Sequence, residues 1–522
     1  MKIFLALAVV VSALAADPVS VNPAKMPKVG TVDERFQSFN VEMVEVTGGR
    51  FWAPYRDEGK PVEAPTGAKL AVPAIDPSLF RTRQPLDLSN PRLRKLAAGI
   101  GPSYVRVSGT WANSTYFQDS DGPAPATPPD GFGGVLTRAQ WKGVVDFSQA
   151  VNAKIVTSFT ISAGVRDANG VWTPQEASKL LSYTKSIGGN IAAAEFFNEP
   201  SFAGMGGAPK GYDAAAYGRD IAVWVPFVRK AAPAMLVVGP GSVGESGALG
   251  AGQMPGAIKS DDMLRATGRV VDVFSYHFYG GVSRRCANMG AAAQTTPENA
   301  LSEEWLSRTD RDADFYKGLR DRFEPGKPMW LTETGETACG GNPWAATFID
   351  TFRYVDQLGR LAKRGIQVVA HNTLTASDYG LIDEQTMTPR PSYWAAVLWS
   401  RLMGKTVLDA GPAPAGVHQY AHCLPGREGG VTVLAINLDQ TVAHSLGVPK
   451  ASERFTLSSP TGLRSVSVEL NDTRLELNGD EEKLPKWKGV KTRAGLLHLP
   501  PASITFLAIP EAGNAGCAIT DN

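Results

Sequence analysis

Short apolar runs alternate with longer segments of helical period between about residue 32 and residue 402, and this alternation limits the possible folds more than any other feature. The runs are rich in β-branched and aromatic residues, which indicates the buried strands of a parallel sheet. The candidate strands are Phe36–Glu42, Tyr104–Gly109, Ile155–Ser162, Ala192–Asn198, Leu236–Gly239, Val270–His277, Met329–Glu333 and Val368–Asn372. Helical stretches between them include Ala177–Ile187, Ala214–Ala232, Glu303–Phe323 and Ala345–Arg364. Eight strands with intervening helices predict a (β/α)8 barrel, which needs roughly 250 residues and leaves the surplus for loops.

The pattern changes past residue 402, where short alternating runs are separated by Gly, Pro and Asn. These runs are Val431–Asn437, Arg454–Ser458, Val466–Leu470 and Ile504–Ile509. They predict a C-terminal β-sandwich over residues 403–522, which we expect residues 17–31 to join. The barrel then occupies residues 32–402, with long loop insertions at Trp52–Leu86 and Gln118–Gly134 that are typical of binding-site loops.

The N-terminus combines one basic residue, Lys2, with the apolar run Ile3–Val11 and the small-x-small sequence Ala13–Ala15. This order is typical of a secretory signal peptide, whereas a membrane anchor needs about 20 apolar residues. We therefore interpret residues 1–16 as a signal peptide. The protein is expected to be secreted or periplasmic, with no membrane span in the mature chain.

Charge and composition exclude several kinds of function. The 52 Lys and Arg residues balance 51 Asp and Glu residues without a strongly basic block, so nucleic acid is not an expected partner. The four cysteines are widely spaced and lack the close pairing of a zinc site. Only six histidines occur, which leaves little for a metal centre or a Ser-His-Asp triad. We expect neither a metal nor a cofactor.

Two acids follow predicted strands directly. The fourth strand runs into Asn198-Glu199-Pro200, and the seventh ends in Glu333. Active sites of (β/α)8 enzymes lie at the carboxyl ends of the strands. Cleavage of a glycosidic bond needs two carboxyl groups, one to protonate the leaving oxygen and one at the anomeric carbon. Glu199 and Glu333 can supply this pair; the alternative is a turn acid and a solvated loop acid.

The sequence resembles the heparanase and β-glucuronidase family of retaining glycoside hydrolases over nearly the whole mature chain. The segments that carry the resemblance are Leu93–Ala97, Gly101–Thr110, Asn198–Pro200, Trp330–Thr334, Tyr379–Glu384, Pro391–Trp394 and Leu434–Leu438. Asn-Glu-Pro alone marks a wide clan of barrel glycosidases, whereas these segments together are more specific.

The resemblance implies double displacement without a cofactor, with Glu199 as acid and then base and Glu333 as nucleophile. The remaining implied site residues are Asn198 near the sugar 2-hydroxyl, Gly340, Gly341 and Tyr379 around the uronate carboxylate, Glu42 and Thr110 as sugar contacts, and Tyr279 beside the nucleophile. Alternatives stay open for these residues. Gly340-Gly341 can simply form a turn, Tyr379 can be an aromatic residue of the cleft wall, and Glu42 can be paired with another group in the barrel interior. His277, at the sixth strand end, is either a pocket residue or a structural histidine.

The chain departs from the vertebrate heparanase pattern in three ways. It lacks the basic clusters that grip a sulfated chain, which weakens heparan sulfate as a substrate. It also lacks a long excised linker after the second strand, which predicts that no proteolytic activation is needed. Its glycine run has two residues after Cys339, so the carboxylate cradle is either Gly340-Gly341 or Cys339-Gly340.

The resemblance also implies a disulfide between Cys423 and Cys517, which matches the disulfide that links two parts of the β-sandwich in that family. Cys286 and Cys339 remain. They follow the sixth and seventh strands and can tie two rim loops together; the alternative is two buried free thiols. An exported chain favours the disulfides.

The hypothesis drawn from the sequence is a retaining β-glucuronidase that acts on glycans or glycosides containing glucuronic acid. One alternative is a β-glycosidase of the same clan that acts on a neutral sugar. The other is a non-catalytic carbohydrate-binding protein, against which the intact Asn198, Glu199 and Glu333 argue.

Overall fold

The computed structural model describes residues 19–55, 77–246, 256–477 and 484–518. The predicted signal peptide lies outside the described residues, as does most of the predicted insertion between Trp52 and Leu86.

The strands, numbered along the chain, are β1 (Lys28–Thr31), β2 (Gln37–Glu42), β3 (Gly49–Trp52), β4 (Phe80–Arg83), β5 (Ser103–Ser108), β6 (Thr115–Gln118), β7 (Gly134–Thr137), β8 (Ala153–Ser158), β9 (Ile191–Glu195), β10 (Leu236–Val243), β11 (Val273–Tyr279), β12 (Met329–Gly335), β13 (Ile366–His371), β14 (Thr406–Leu408), β15 (Val417–Cys423), β16 (Val431–Asn437), β17 (His444–Val448), β18 (Ser452–Ser458), β19 (Glu469–Leu470), β20 (Thr473–Arg474), β21 (Val490–Thr492), β22 (Gly495–Leu499) and β23 (Ser503–Ile509). The α-helices are α1 (Met43–Thr47), α2 (Pro91–Gly99), α3 (Arg138–Ala150), α4 (Gln175–Ser186), α5 (Ala214–Ala231), α6 (Ser260–Thr267), α7 (Glu303–Leu306), α8 (Arg308–Phe323), α9 (Phe348–Lys363) and α10 (Pro391–Leu402).

Within the described residues, eight parallel strands close a barrel in the order β2-β5-β8-β9-β10-β11-β12-β13. β13 closes the barrel by pairing with β2, where Val369 lies opposite Gln37. The predicted (β/α)8 fold is therefore confirmed, and each predicted barrel strand overlaps an observed one. Several boundaries differ: β8 ends at Ser158 instead of Ser162, β9 ends at Glu195 instead of Asn198, and the helix predicted over Glu303–Phe323 is divided between α7 and α8 at Ser307.

Successive side chains along each strand point alternately into the barrel interior and toward the surrounding helices. Seven strands contribute one residue each to an apolar layer inside the barrel: Tyr104, Val156, Ala193, Val238, Val273, Trp330 and Val368. The residues two positions later on several of these strands are polar, and they include Arg106, Glu195, Ser275 and Thr332. Because strand side chains repeat every second residue, this polar layer lies directly above the apolar one, toward the carboxyl ends of the strands.

The C-terminal region forms a nine-stranded sheet, among the described residues, with the main order β1-β14-β15-β16-β23-β18-β19-β20; β21 pairs with β18. A second sheet consists of β17 and β22. Leu446 and Leu497 of the small sheet share a core with Val433 and Leu507 of the large one, which makes this a β-sandwich. The predicted strand Val466–Leu470 is reduced to Glu469–Leu470, since the segment before it is irregular.

The N-terminal segment belongs to the same sandwich, because β1 pairs antiparallel with β14. The side chain of Asn514 fastens this segment further: its Nδ2 donates to the carbonyl oxygens of Pro23 (2.7 Å) and Met26 (2.8 Å), across a sequence separation of 491 residues for the first contact.

Helix α9 joins the barrel to the sandwich. The ring of Tyr420, on β15, lies against Gly359 so closely that a Cβ on this glycine would be 2.3 Å from the ring. The Tyr420 hydroxyl donates to Asp356 of the same helix at 2.6 Å. Because Gly359 has no side chain, the Tyr420 ring can approach helix α9 this closely.

None of the helices in the described ranges combines the length and apolar character that crossing a membrane requires.

Candidate active site

The carboxyl ends of the barrel strands open into a cleft of about 270 Å³. Residues predicted from the sequence that line it are Glu42, Thr110, Asn198, Glu199, Tyr279, Glu333 and Tyr379. His277 lies beneath the cleft and is fully buried. Cys339 is part of the wall, whereas Gly340 and Gly341 lie buried behind it.

Glu199 is presented by the loop that follows β9. Its backbone is left-handed, with φ = +50°, and it directly precedes a 3-10 helix that begins at Pro200. Asn113 fixes the approach to this turn, since its side chain accepts from the Asn198 N–H at 2.8 Å and donates to the Asn198 carbonyl at 2.9 Å. The Glu199 side chain is 20% exposed, so it reaches the cleft from a rigid support.

Glu333 lies inside β12, opposite His277 of β11. Its side chain is 7% exposed. One carboxylate oxygen of Glu199, one of Glu333 and a ring nitrogen of His277 all lie within 4.8 Å of one another. The fold thus brings together two acids that are far apart in the sequence.

Arg106 binds the nucleophile candidate from the polar layer of the barrel. Its Nη1 donates to Glu333 Oε2 at 2.7 Å, while Nε and Nη2 donate to Glu195 Oε2 at 3.0 and 2.8 Å. Nη2 also donates to Asn198 Oδ1 at 2.8 Å. The guanidinium is 2% exposed. A buried, doubly paired arginine of this kind fixes the positions of the carboxylates around it.

Glu195 completes the support of Arg106. Its other oxygen accepts from Ser275 Oγ (2.8 Å) and Thr332 Oγ1 (2.6 Å). Burial opposes ionisation of Glu195, but the Arg106 charge and these hydrogen bonds hold the pKa of its carboxyl well below the usual range. Neither Arg106 nor Glu195 is among the site residues predicted from the sequence, although each is a charged residue inside an apolar strand.

Tyr279 binds the second oxygen of the nucleophile candidate, and Asn372 in turn binds Tyr279. The Tyr279 hydroxyl donates to Glu333 Oε1 at 2.8 Å. Asn372 Nδ2 lies within donating distance of Tyr279 Oη (2.9 Å), Glu42 Oε1 (3.1 Å) and Tyr379 Oη (3.2 Å). Asn372 follows β13 and is not among the residues predicted from the sequence. It contacts Glu42, Tyr279 and Tyr379 directly, and Glu333 is joined to this group through Tyr279.

The surroundings of Glu199 change its proton affinity. Burial raises the pKa of Glu199, and the Glu333 charge adds to this effect, while the hydrogen bond with His277 opposes it. His277 Nδ1 lies 3.2 Å from Glu199 Oε1. Burial also opposes a charged imidazole, but the carboxylates of Glu333, Glu195 and Glu199 together raise the pKa of His277 to about 9. A raised pKa favours the protonated form of Glu199, which is the form that a general acid needs.

Glu42 contacts this network from the first barrel strand. Burial, with the nearby Glu333 charge, raises its pKa well above the usual range. A neutral Glu42 can donate a hydrogen bond to a ligand in the cleft. Thr110 begins a 3-10 helix after β5, and both Thr110 and the adjacent Trp111 line the cleft.

Three consecutive left-handed residues follow β12: Cys339 (φ +62°), Gly340 (φ +80°) and Gly341 (φ +75°). Arg285 Nη1 donates to all three of their carbonyl oxygens, at 3.2, 3.1 and 3.0 Å. In a trans peptide each N–H points away from the preceding carbonyl, so the N–H groups of Gly340 and Gly341 point away from Arg285. No hydrogen bond within the described part of the chain uses either N–H as donor.

The loop that carries these residues is held at its base and at its rim. Glu336 accepts from Thr337 Oγ1 (2.6 Å) and from the Asn342 N–H (2.8 Å). Cys286 and Cys339 form a disulfide at the cleft, and Cys423 and Cys517 form the second one in the sandwich. The structure therefore contains both disulfides inferred from the sequence.

The cluster of Glu199, His277 and Glu333 has the donor types of a metal site. Arg106, however, already donates to Glu333 and brings a fixed positive charge to the same place. This charge repels a divalent cation, and the cluster matches an acid–nucleophile pair better than a metal centre.

Comparison with known proteins agrees with this geometry. Residues 84–359, more than half of the chain, match the N-terminal domain of glycosyl hydrolase family 79. The chain is 28% identical to the heparanase of Mus musculus over 88% of this chain and 93% of that protein. It is 24% identical to the hyaluronoglucuronidase of Hirudo nipponia, covering 85% of this chain and 95% of the relative.

Among solved structures, the fold is similar to that of the GH51 arabinofuranosidase from Xanthomonas axonopodis pv. citri, with a TM-score of 0.61, 16% identity and coverage of 92% and 97% of the two chains. It is also similar to a 4-O-alpha-L-rhamnosyl-beta-D-glucuronidase from Fusarium oxysporum 12S, with a TM-score of 0.60, 13% identity and coverage of 94% and 100%. The barrel, its paired acids and the sequence match lead to one conclusion: the chain belongs to glycosyl hydrolase family 79 and is a glycoside hydrolase that acts on a glycan or glycoside.

Proposed function

We propose that the protein is a retaining β-glucuronidase that hydrolyses β-linked glucuronic acid in glycans or glycosides. Retention of configuration at C1 is supported by the short distance between Glu199 and Glu333, whose carboxylate oxygens lie within 4.8 Å of each other. Retaining enzymes hold their two carboxyl groups about 5–5.5 Å apart, whereas inverting enzymes leave about 6.5–9.5 Å for a water molecule.

In the first step, Glu199 donates its proton to the glycosidic oxygen as the bond from C1 to this oxygen breaks. Glu333 attacks C1 from the opposite face and forms an ester bond with the sugar, while the aglycone leaves as the neutral alcohol or phenol. Arg106 and Tyr279 orient the Glu333 oxygens by the hydrogen bonds described above.

In the second step, the Glu199 carboxylate takes a proton from a water molecule whose oxygen attacks C1. The ester bond to Glu333 breaks, the nucleophile returns as a carboxylate, and the sugar is released with its original configuration. Asn198 assists both steps: since its Oδ1 is bound by Arg106, its Nδ2 is the group left to donate to the sugar 2-hydroxyl.

Selection of a uronic acid rests on Tyr379 and on the cradle formed by Cys339, Gly340 and Gly341. Unpaired N–H groups in a left-handed turn bind anions, and charge-assisted hydrogen bonds are about twice as strong as neutral ones. Arg285 orients the peptide groups from behind. The names of two similar proteins, the leech hyaluronoglucuronidase and the Fusarium β-D-glucuronidase, also refer to glucuronides.

The proposal includes export of the protein from the cytoplasm. Two disulfides are typical of proteins that fold in an oxidising compartment. Together with the predicted signal segment at residues 1–16, they support a secreted or periplasmic protein.

The test of uronate selection is Tyr379→Phe. Loss of one donor to the carboxylate is expected to lower kcat/KM for a chromogenic β-glucuronide by on the order of 1.5–3 kcal/mol in transition-state terms. The slow hydrolysis of the matched β-glucoside should change little, because that sugar has no carboxylate. The measurement is the ratio of the two kcat/KM values.

A wild-type enzyme that prefers the β-glucoside would reject the proposal in favour of a neutral sugar. An unchanged ratio in Tyr379→Phe would mean that the tyrosine is only a wall of the cleft.

A further inference from the structure

The cleft has two chemically different halves. One half is polar: Glu42 ends β2, Glu333 lies in β12, and Tyr379 lies in the loop after β13. The other half is apolar and comes from the end of β10 and the loops after β9 and β11, with Phe202, Met205, Val243, Val282 and Met289.

The apolar half is built onto the loop of the acid candidate. Phe202 and Met205 follow Glu199 within a few residues, and the Phe202 N–H donates to the Glu199 carbonyl at 2.9 Å. Val243, the last residue of β10, is joined to the same loop because its N–H donates to Ser201 Oγ at 3.1 Å. The wall is therefore continuous with the loop that carries Glu199.

The wall is a packed surface rather than a set of scattered side chains. Val243 and Val282 are buried in one cluster, against which Phe202 and Met289 pack while staying partly exposed. Met205 is 37% exposed beside them. None of the cleft-lining residues in the described ranges is a Lys or an Arg. An apolar surface at the mouth of a site for polar sugars indicates a ligand group of matching chemistry.

The position of Glu199 indicates which part of the substrate contacts the apolar wall. A general acid protonates the oxygen that departs with the leaving group, so residues beyond the acid contact the aglycone. We propose that Phe202, Met205, Val243, Val282 and Met289 form an aglycone site for an apolar group, such as an aromatic ring or an alkyl chain. An anionic chain would lose hydration there without gaining a cation, whereas an apolar ring gains contact with flexible methionines. The aglycone site rests on the proposed function through the role of Glu199 as general acid, but not through the identity of the sugar.

The test compares two β-glucuronides whose phenols have similar acidity, one extended by an apolar ring and the other by a sulfonate. Equal acidity removes the chemical difference between the leaving groups, so the ratio of kcat/KM reports binding in the aglycone site. The wild-type protein should favour the apolar substrate by about 10-fold or more, since even one methylene in an apolar pocket is worth about that factor.

Met205→Glu should lower this ratio by on the order of 10-fold, because it places a charge on the wall. Met205→Leu keeps an apolar side chain and should keep the ratio. Leu496→Glu adds the same charge to a residue of the sandwich that is 67% exposed, and should leave both substrates unaffected.

Equal or better turnover of the sulfonated substrate, or a Met205→Glu ratio like that of the wild type, would overturn the aglycone site. If the protein hydrolyses only β-glucosides, the same pair of aglycones is tested on glucose. In that case the proposed glucuronidase function fails, while the ratio still decides the aglycone site.

Discussion

At the scale of single residues, the backbone of Glu199 is the most constrained part of the site. A non-glycine residue with φ = +50° occupies a sparsely populated region, at a cost of about 1–3 kcal/mol. Pro200 and the side chain of Asn113 hold the chain in this conformation. The acid is therefore set against His277 before any ligand arrives, which lowers the cost of orientation during the reaction.

The separate roles of the two acids predict different products with azide. In Glu199→Ala, azide attacks the covalent sugar on Glu333 and should give a β-glycosyl azide from a substrate with an activated leaving group. In Glu333→Ala, azide attacks C1 directly and should give the α-glycosyl azide, since one inversion is lost. Product configuration by NMR decides the assignment. Near wild-type hydrolysis in either variant would contradict it.

The raised pKa of Glu199 predicts the alkaline side of the pH profile. Because Glu199 must be protonated to act as acid, kcat/KM should fall as pH rises through its pKa, which burial raises. In Glu199→Gln the group no longer titrates. With an activated aryl leaving group that needs no acid, the alkaline decline should disappear from the kcat/KM profile. Persistence of the same decline would assign it to another group, such as His277.

At the scale of elements, the loop after β12 depends on groups from separate parts of the chain. Arg285 binds its three carbonyls, and the other end of the guanidinium donates to Asp378 at 2.8 Å. Glu336 holds the base of the loop, and burial raises the pKa of its carboxyl to about 7. The cradle thus depends on Arg285 for its shape, although this arginine does not line the cleft.

Arg285→Lys is expected to impair uronate selection without unfolding the protein. A lysine keeps the charge but cannot reproduce the planar fork that reaches three carbonyls and Asp378 together. The β-glucuronide to β-glucoside ratio of kcat/KM should fall by about 10-fold, or roughly 1.4 kcal/mol. Arg284→Lys, at the exposed neighbouring position, is the matched control and should retain the ratio. Equal ratios in all three proteins would remove Arg285 from the positioning of the cradle.

The barrel elements could be predicted because their strands and helices have strong periodicity, and the acids because they follow predicted strands. Arg106, Glu195 and Asn372 were not assigned roles, since their contacts depend on which strands face each other across the barrel. Arg285 was missed for a similar reason: its partners lie more than 50 residues away in another loop. The end of β9 was placed too late, because the apolar residues after Glu195 continue the strand pattern in an irregular segment.

At the scale of the whole molecule, the barrel and the sandwich meet where Tyr420 lies on helix α9. Arg360 reinforces this contact by donating to Asp356 at 2.6 Å, and Asp356 also accepts from His418 of β15 at 2.7 Å. The interface thus combines a ring packed on a glycine with a buried carboxylate that collects donors from both domains.

Gly359→Ala is expected to destabilise the protein through this interface. A Cβ at 2.3 Å from the Tyr420 ring forces the ring or the helix to move, which typically costs about 1–3 kcal/mol. The Tm should fall by a few degrees, with kcat/KM of the folded protein unchanged. Gly318→Ala, in α8, is the control: nothing lies within 4 Å of its added Cβ, so stability should rise by about 0.5–1 kcal/mol. Equal Tm shifts in the two variants would contradict the role of Gly359.

The clamp between Asn514 and the N-terminal segment has a consequence for biosynthesis. Its partners are 491 residues apart, and β14, which pairs with β1, is made about 375 residues after β1, so at about 5–20 residues per second a ribosome leaves β1 unpaired for roughly 20 seconds or longer. An unpaired strand can join another nascent chain. β1 is only four residues long and carries Lys28, features that limit such pairing while translation continues. The last part of the chain to be made therefore secures the first.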